Sequence, residues 1–211
     1  GSGRKAVVDT VAIVELLTIL GIGVMTPGPN SLTCFAHSGI YGPKSNIKLI
    51  AGMCIGFVLV ELSVGLAVNV LKDNTLAMTV LHYIGMAFLA VMVIAMFRID
   101  PKGLQSENIE AALGVKTGIC MQFANGKEWA FVVIIMSSFI EPLGGGISGI
   151  LTIISITLSV CLAAMIGWTF LGSRLHGVFS DERKGPMIFK VCGSLLLLLW
   201  IALFARGPVL A

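Results

Sequence analysis

Charge is scarce in this sequence of 211 residues. Asp, Glu, Lys and Arg make up 12% of it, against about 25% in an average soluble domain. The 14 basic and 11 acidic residues cannot cover the surface of a water-soluble globule of this length. That argues against a soluble enzyme and against a nucleic-acid-binding module. The formal charge of +3 is too small to call for a polyanionic partner. Histidine is sparse as well. His37, His82 and His176 are scattered, which supports neither a metal site nor a catalytic triad. The five cysteines, Cys34, Cys54, Cys120, Cys161 and Cys192, include no C-x-x-C pair. Their spacing fits no disulfide framework or zinc site. Each sits in or beside an apolar run and reads as a small apolar packer. No cofactor is implied. A secretory leader is not visible either, because the first apolar run ends in Thr26-Pro27-Gly28-Pro29 rather than in a small-residue cleavage site. Gly1-Ser2-Gly3 reads as a cloning scar.

Apolar residues, in contrast, make up 56% of the chain, and the mean hydropathy is +0.98. A helix needs about 20 apolar residues to cross a hydrocarbon core of about 30 Å. Six such runs are present. The first is Val11–Met25, continued after a break by Leu32–Ile40. Next come Leu49–Leu71 and Thr75–Phe97. The fourth is Gly118–Ile140, interrupted by Asn125-Gly126-Lys127-Glu128. The fifth is Ile147–Leu171, and the sixth is Val191–Phe204, extended by Pro186–Phe189. These runs are too long and too continuous for the period-two strands of a membrane barrel. Of the charged residues, Glu15, Glu61, Lys127 and Glu128 fall inside the runs, and the rest lie at run ends and in loops. The expected fold is all-α: one polytopic membrane domain of six transmembrane helices, the first and fourth of them broken.

Loop charge predicts orientation. The loops after runs one, three and five carry Lys44, Lys48, Arg98, Lys102, Lys116, Arg174, Arg183, Lys184 and Lys190. The other side carries Arg4, Lys5, Lys72 and Arg206. The richer side is expected in the cytoplasm, with both termini outside. Asp100-Pro101-Lys102-Gly103 reads as a turn. The segment Gly172–Phe189 reads either as a solvated basic loop or as a short interfacial helix carrying Leu175, Val178 and Phe179.

Most of the functional signal lies in the two breaks. In Met25-Thr26-Pro27-Gly28-Pro29-Asn30, two prolines remove backbone donors and clash with the preceding turn. A helix cannot pass through unbroken, and freed backbone groups at membrane depth must face protein or a wet cavity. Asn30 is placed to cap a second half-helix from Ser31 to Ile40. In the fourth run, Asn125 followed by Glu128 resembles a capping box. Lys127 there is a cation that would cost about 2.5–3.5 kcal/mol at the bilayer centre unless it faced a partner or a cavity. Asn30 and Asn125 each open a three-run half, about 6–98 and about 113–206. An odd number of spans per half means opposite orientations, so the pattern predicts a 3+3 inverted repeat with discontinuous helices meeting near the midplane.

Half-helix N-termini carry partial positive charge and free N–H groups. Two of them would hold a small anionic group such as a carboxylate, with Lys127 adding to the site. Glu128 or Glu61 would face an amino group or carry a proton. Glu61, an acid in the middle of an apolar run, is the candidate for proton coupling. Glu15 lies nearer a run end and reads as an interface residue. Gly52 and Gly56 form a G-x-x-x-G, with Gly65 further along, and read as close helix packing. Trp129, Trp168 and Trp200 read as packing or interface anchors.

Met25-Thr26-Pro27-Gly28-Pro29-Asn30-Ser31-Leu32, Gly39, Gly42, Ala51-Gly52-Met53 and Gly56-Phe57 resemble the N-terminal signature of the LysE/RhtB amino-acid exporters. Gln122-Phe123, Asn125 and Lys127 resemble the start of that family's second half. The wording is most similar to the cysteine/O-acetylserine exporter branch. The resemblance covers nearly the whole chain. Where many members have Asn-Pro-Lys, this chain has Asn125-Gly126-Lys127. The usual Pro-Gln-Phe is missing, Glu141-Pro142 stands nearby, and Glu61 is outside the family pattern. The resemblance implies a multi-pass protein of the bacterial cytoplasmic membrane that moves amino acids outward on the proton gradient. By carry-over, Thr26, Pro27, Gly28, Pro29 and Asn30 would bind substrate, with Asn125, Lys127 and Glu128 opposite. The expected partners are an amino acid, protons and the bilayer, with no nucleic acid and no metal. A passive facilitator for small polar solutes is the alternative. A carrier of soft metals or reducing equivalents would need clustered thiols, and an assembly subunit would leave the breaks without a purpose. An enzyme is not supported, for want of a nucleophile–base constellation.

Overall fold

The computed structural model describes residues 9–98, 113–179, 181 and 183–208. The ordered elements among them are helical: α1 (Thr10–Met25), α2 (Pro29–Tyr41), a 3-10 turn (Pro43–Ser45), α3 (Asn46–Leu71), α4 (Thr75–Arg98), α5 (Val115–Ala124), α6 (Gly126–Phe139), α7 (Gly146–Phe179) and α8 (Lys184–Arg206). By length and composition α3, α4, α7 and α8 each suffice to cross a membrane. The pairs α1–α2 and α5–α6 do so as spans bent by 46° and 66°. Counted this way the described chain has six spans, three on either side of the 98–113 connection. This is a polytopic all-helical membrane protein, and the two broken spans fall where the proline pair and the Asn-Gly pair put them.

Helices dominate because hydrocarbon offers no partner for a free N–H or C=O. Large apolar side chains such as Val70, Leu76 and Leu198 stand exposed on the outside, where lipid rather than water is the solvent. Inside, the packing is reciprocal. The middle helix of each half is held by the broken span of the other: α3 lies chiefly on α5, and α7 chiefly on α2. The like pairs α3–α7 and α4–α8 also meet.

Small residues make these contacts close. A Cβ on Gly52 would sit 2.1 Å from the Val115 carbonyl oxygen, and one on Gly118 would sit 2.3 Å from that of Leu49. A Cβ on Gly172 would meet the Phe35 carbonyl oxygen at 2.1 Å. The G-x-x-x-G of α3 is therefore a packing device, as expected.

One end of the bundle gathers the start of α1, the α3–α4 and α6–α7 turns, and the end of α8. The Asp9 amide donates to the Pro142 carbonyl at 3.1 Å. Lys72 pairs with Glu141 at 2.8 Å, and Arg206 pairs with Glu15 at 3.1 Å. Glu15 is thus an end residue. The other end gathers the α2–α3 turn, the start of α5 and the end of α7. There, buried His37 faces Asn46 through Nδ1 and accepts the Leu113 N–H on Nε2 at 3.0 Å.

The segment after Leu171 departs from both expectations for its first part. The α7 helix continues without a break to Phe179, so residues 172–179 are neither a loop nor a separate interfacial helix. The next helix begins at Lys184, ahead of Pro186, which suits a proline in a first turn. Asp181 accepts the amide N–H groups of Arg183 and Lys184 at 2.9 and 2.8 Å. Those bonds hold its carboxyl below the usual carboxylate range. The expected turn Asp100–Gly103 and the basic residues Arg4, Lys5 and Lys102 lie outside the described residues.

Candidate functional site

The first break is shaped by Pro27, Gly28 and Pro29. Thr26 ends α1 in an extended conformation, its amide and hydroxyl both donating to the Ile22 carbonyl. Gly28 is also extended and is the N-cap of α2, with Pro29 as the first helical residue. Asn30 is therefore not the cap. The fixed φ of proline suits the first helical position, and this moves the start of α2 from the expected Ser31 two residues back, to Pro29. The Asn30 side chain is freed to cross to α5. Its Nδ2 donates to Gln122 Oε1 at 2.9 Å, and Gln122 Nε2 donates back to Asn30 Oδ1 at 3.1 Å.

The second break is a single residue. Asn125 has φ −85° and ψ 94°, and its side chain accepts the Glu128 amide at 3.4 Å. It caps α6 as expected, although its own amide donates to the Gln122 carbonyl. Lys127 and Glu128 follow in the first turn of α6.

Lys127 runs across the first break. Its amine donates to the Gly23 carbonyl at 2.6 Å and also to that of Thr26. A Cβ on Gly28 would lie 2.8 Å from Lys127 Cδ, so the glycine makes room for this side chain. The charge therefore rests on the negative, carbonyl end of α1. Trp168 on α7 adds a further bond, its indole N–H donating to the Val24 carbonyl at 3.0 Å. Carbonyls freed by the proline break are thus satisfied by side chains of the second half.

Behind these breaks lies a cavity of about 80 Å³. One water needs roughly 10–15 Å³ by the same measure, so the space holds several waters or a small solute. Of the residues expected from sequence, Gly28, Asn30, Asn125, Lys127, Glu128 and Glu61 line it. Thr26, Pro27 and Pro29 do not. They shape the break and leave the wall to their neighbours. Sequence reasoning did not place Gln122, Ser31 or Thr157 in the site, and all three line the cavity. The rest of the wall is apolar or sulfur-bearing, including Met53, Cys54, Phe57, Cys161 and Met165.

Glu61 enters from the middle of α3 and is completely buried. Thr157 on α7 places its Oγ1 2.8 Å from Glu61 Oε2 and also 2.8 Å from the Ile153 carbonyl oxygen. One hydroxyl proton serves one of these acceptors at a time. With Glu61 ionised, Thr157 donates to it. With Glu61 protonated, the carboxyl donates to Thr157, which turns to Ile153. The pair accommodates both protonation states.

At the two half-helix starts, the amides of Asn30, Ser31, Gly126 and Lys127 have no acceptor within their own helices. Cys34 places its thiol against the sulfur atoms of Met53 and Met165 at 3.8 and 3.9 Å. Among the described residues no group of three His, Cys, Asp or Glu side chains is arranged to hold a metal ion.

The family described as LysE type translocator matches residues 21–207, which takes in both breaks and everything from the last turn of α1 to the end of α8. Curated relatives include the cysteine/O-acetylserine efflux proteins of Escherichia coli (strain K12), Shigella sonnei (strain Ss046) and Shigella flexneri serotype 5b (strain 8401). Each is 23% identical over 186 residues, covering 87% of this chain and 92% of the relative. No solved structure matches. These likenesses, with the helical architecture, point to a transporter rather than an enzyme. The chain belongs to the family of LysE type translocators.

Proposed function

We propose that this protein exports a small amino acid or derivative, of the cysteine or O-acetylserine kind, from the cytoplasm by proton-coupled alternating access. The observation that carries the reading is the convergence of two half-helix starts and a buried carboxylate on one cavity at mid-span. Amides at the starts of α2 and α6 suit a substrate carboxylate. Glu61 suits the coupling proton, because Thr157 accommodates its charged and neutral forms. The chain works as one transmembrane domain. Its halves, about 6–98 and about 113–206, are inversely oriented and rock against each other about the cavity. The relatives are named for cysteine and O-acetylserine efflux, and the sulfur-bearing wall suits such small, soft side chains. The distribution of basic residues supports an orientation with the end that holds the α2–α3 turn in the cytoplasm and both termini outside the bacterial inner membrane.

The test is efflux from vesicles loaded with labelled cysteine, O-acetylserine, threonine, homoserine, leucine or lysine, with and without an imposed proton gradient. Gradient-driven efflux of cysteine or O-acetylserine, made insensitive to pH by Glu61→Gln, is expected. Efflux indifferent to the gradient makes the protein a passive facilitator, and efflux of none of the six removes amino-acid export.

A further inference from the structure

Glu61 has one oxygen without a partner. Oε2 is served by Thr157, whereas Oε1 is buried and receives no hydrogen bond. Three of the other polar side chains of the cavity are provided for. Asn30 and Gln122 satisfy each other, and Asn125 caps α6. The titratable groups that share the cavity with Glu61 are Cys54 on its own helix, Lys127 and Glu128 from α6, and Cys161 from α7. Lys127 is the single cation among the described residues of this wall, and its ammonium is engaged by the Gly23 and Thr26 carbonyls. The cavity therefore holds two carboxylates and one ammonium, and the ammonium donates to backbone carbonyls rather than to Glu61.

A carboxylate oxygen buried without a donor is unfavourable, and a cationic donor is what completes it best. We infer that Glu61 Oε1 is the ammonium-binding point of the cavity, and that the ligand is a small molecule with a free primary ammonium and a side chain without negative charge. This rests on the export reading in taking the ligand to be the exported molecule. The rest of the wall narrows the class. Met53, Phe57 and Met165 offer no hydrogen-bond donor to an anionic side chain, and Glu128 repels it. Acidic amino acids and N-acylated amino acids are excluded on this account. The ammonium and the coupling proton compete for one carboxyl group, so ligand binding expels the proton.

The experiment is calorimetric titration of the purified full chain in lipid nanodiscs with L-cysteine, L-cysteine methyl ester, N-acetyl-L-cysteine and L-aspartate. Cysteine and its methyl ester are expected to bind. N-acetylcysteine and aspartate are expected to bind more weakly by about tenfold or more, the first for want of a charge-assisted hydrogen bond and the second through repulsion by Glu128. Glu61→Gln is expected to weaken cysteine binding to a similar degree and to abolish the proton release seen in weakly buffered solution. Glu141→Gln, at the end of the bundle, serves as the unaffected control. Equal binding of cysteine and N-acetylcysteine overturns the inference on the unaltered chain, whatever the variants do. So does unchanged cysteine binding in Glu61→Gln. The readout is binding, so ammonium selectivity without any flux leaves the inference standing and removes the export reading. Gradient-driven flux with no ammonium selectivity does the reverse.

Discussion

Asn30 and Gln122 hold each other by two hydrogen bonds, of 2.9 and 3.1 Å, across the two halves of the molecule. One residue stands in the first turn of α2 and the other near the end of α5. Each amide gives one N–H and accepts one, so the bridge is reciprocal. It joins the two broken spans at the cavity through side chains on both sides. Any motion that separates the breaks must part it.

Loss of this bridge is expected to alter transport more than assembly. A neutral hydrogen bond contributes about 1 kcal/mol net, so losing both shifts the balance between joined and parted breaks by roughly 30-fold. Asn30→Ala and Gln122→Ala each remove both bonds and leave the other amide without its partner across the break. Both variants are expected to lower efflux by about tenfold or more while the protein still inserts and accumulates. Joint measurement of initial efflux rate and of membrane-inserted protein checks this. Normal efflux in both variants would remove the pair from the transport cycle.

Gly28 and Lys127 are expected to behave as one unit. A methyl group on Gly28 strikes Lys127 Cδ at 2.8 Å, and the side chain must leave the Gly23 and Thr26 carbonyls to avoid it. The backbone of Gly28 is extended and open to alanine, so strain is not the cause. Gly28→Ala and Lys127→Ala should therefore each impair export, and the double variant should be no worse than Lys127→Ala. A double-mutant cycle on efflux rates measures the coupling. Strict additivity of the two losses would mean that the glycine acts through something else.

The α3–α5 contact gives a prediction about stability alone. Alanine at Gly52 or Gly118 drives a methyl into backbone that cannot step aside, whereas Gly21 and Gly167 have open space around them. Overpacking of this kind costs about 1–3 kcal/mol, and more where backbone must shift. Gly52→Ala and Gly118→Ala should lower the unfolding temperature in detergent, and Gly21→Ala and Gly167→Ala should leave it unchanged. Thermal unfolding followed by size-exclusion recovery distinguishes the two groups.

The spans were legible because hydrocarbon imposes one rule on every residue, and continuous apolar runs state it openly. The breaks were legible for the complementary reason, since Pro27, Pro29 and the Asn125-Gly126 pair cannot continue a helix. The assignments within the breaks were harder. Asn30 has the chemistry of a cap, but Pro29 beside it takes the first helical position, and the asparagine is left to find Gln122. No local pattern announces that partner, which is 92 residues away. Lys127 was readable as a cation in need of a partner. That its partners are the carbonyls of α1 depends on how the halves lie together. Thr157 looked like an ordinary helical threonine until α3 brought Glu61 beside it.

The satisfied carbonyls at the end of α1 bear on how the protein is made. Gly23 and Thr26 wait for Lys127, and Val24 waits for Trp168. The lysine emerges from the ribosome 104 residues after Gly23, on the order of 5–20 s later at ordinary rates of synthesis. Until then the end of α1 exposes carbonyls that hydrocarbon penalises by several kcal/mol each. The first broken helix therefore cannot settle at its final depth when it is made. It must be kept in a wet place, at the membrane surface or inside the insertion machinery, until the second half arrives to release it. Insertion of this chain is in that sense a single late event, and the two halves are inseparable from the moment of biogenesis.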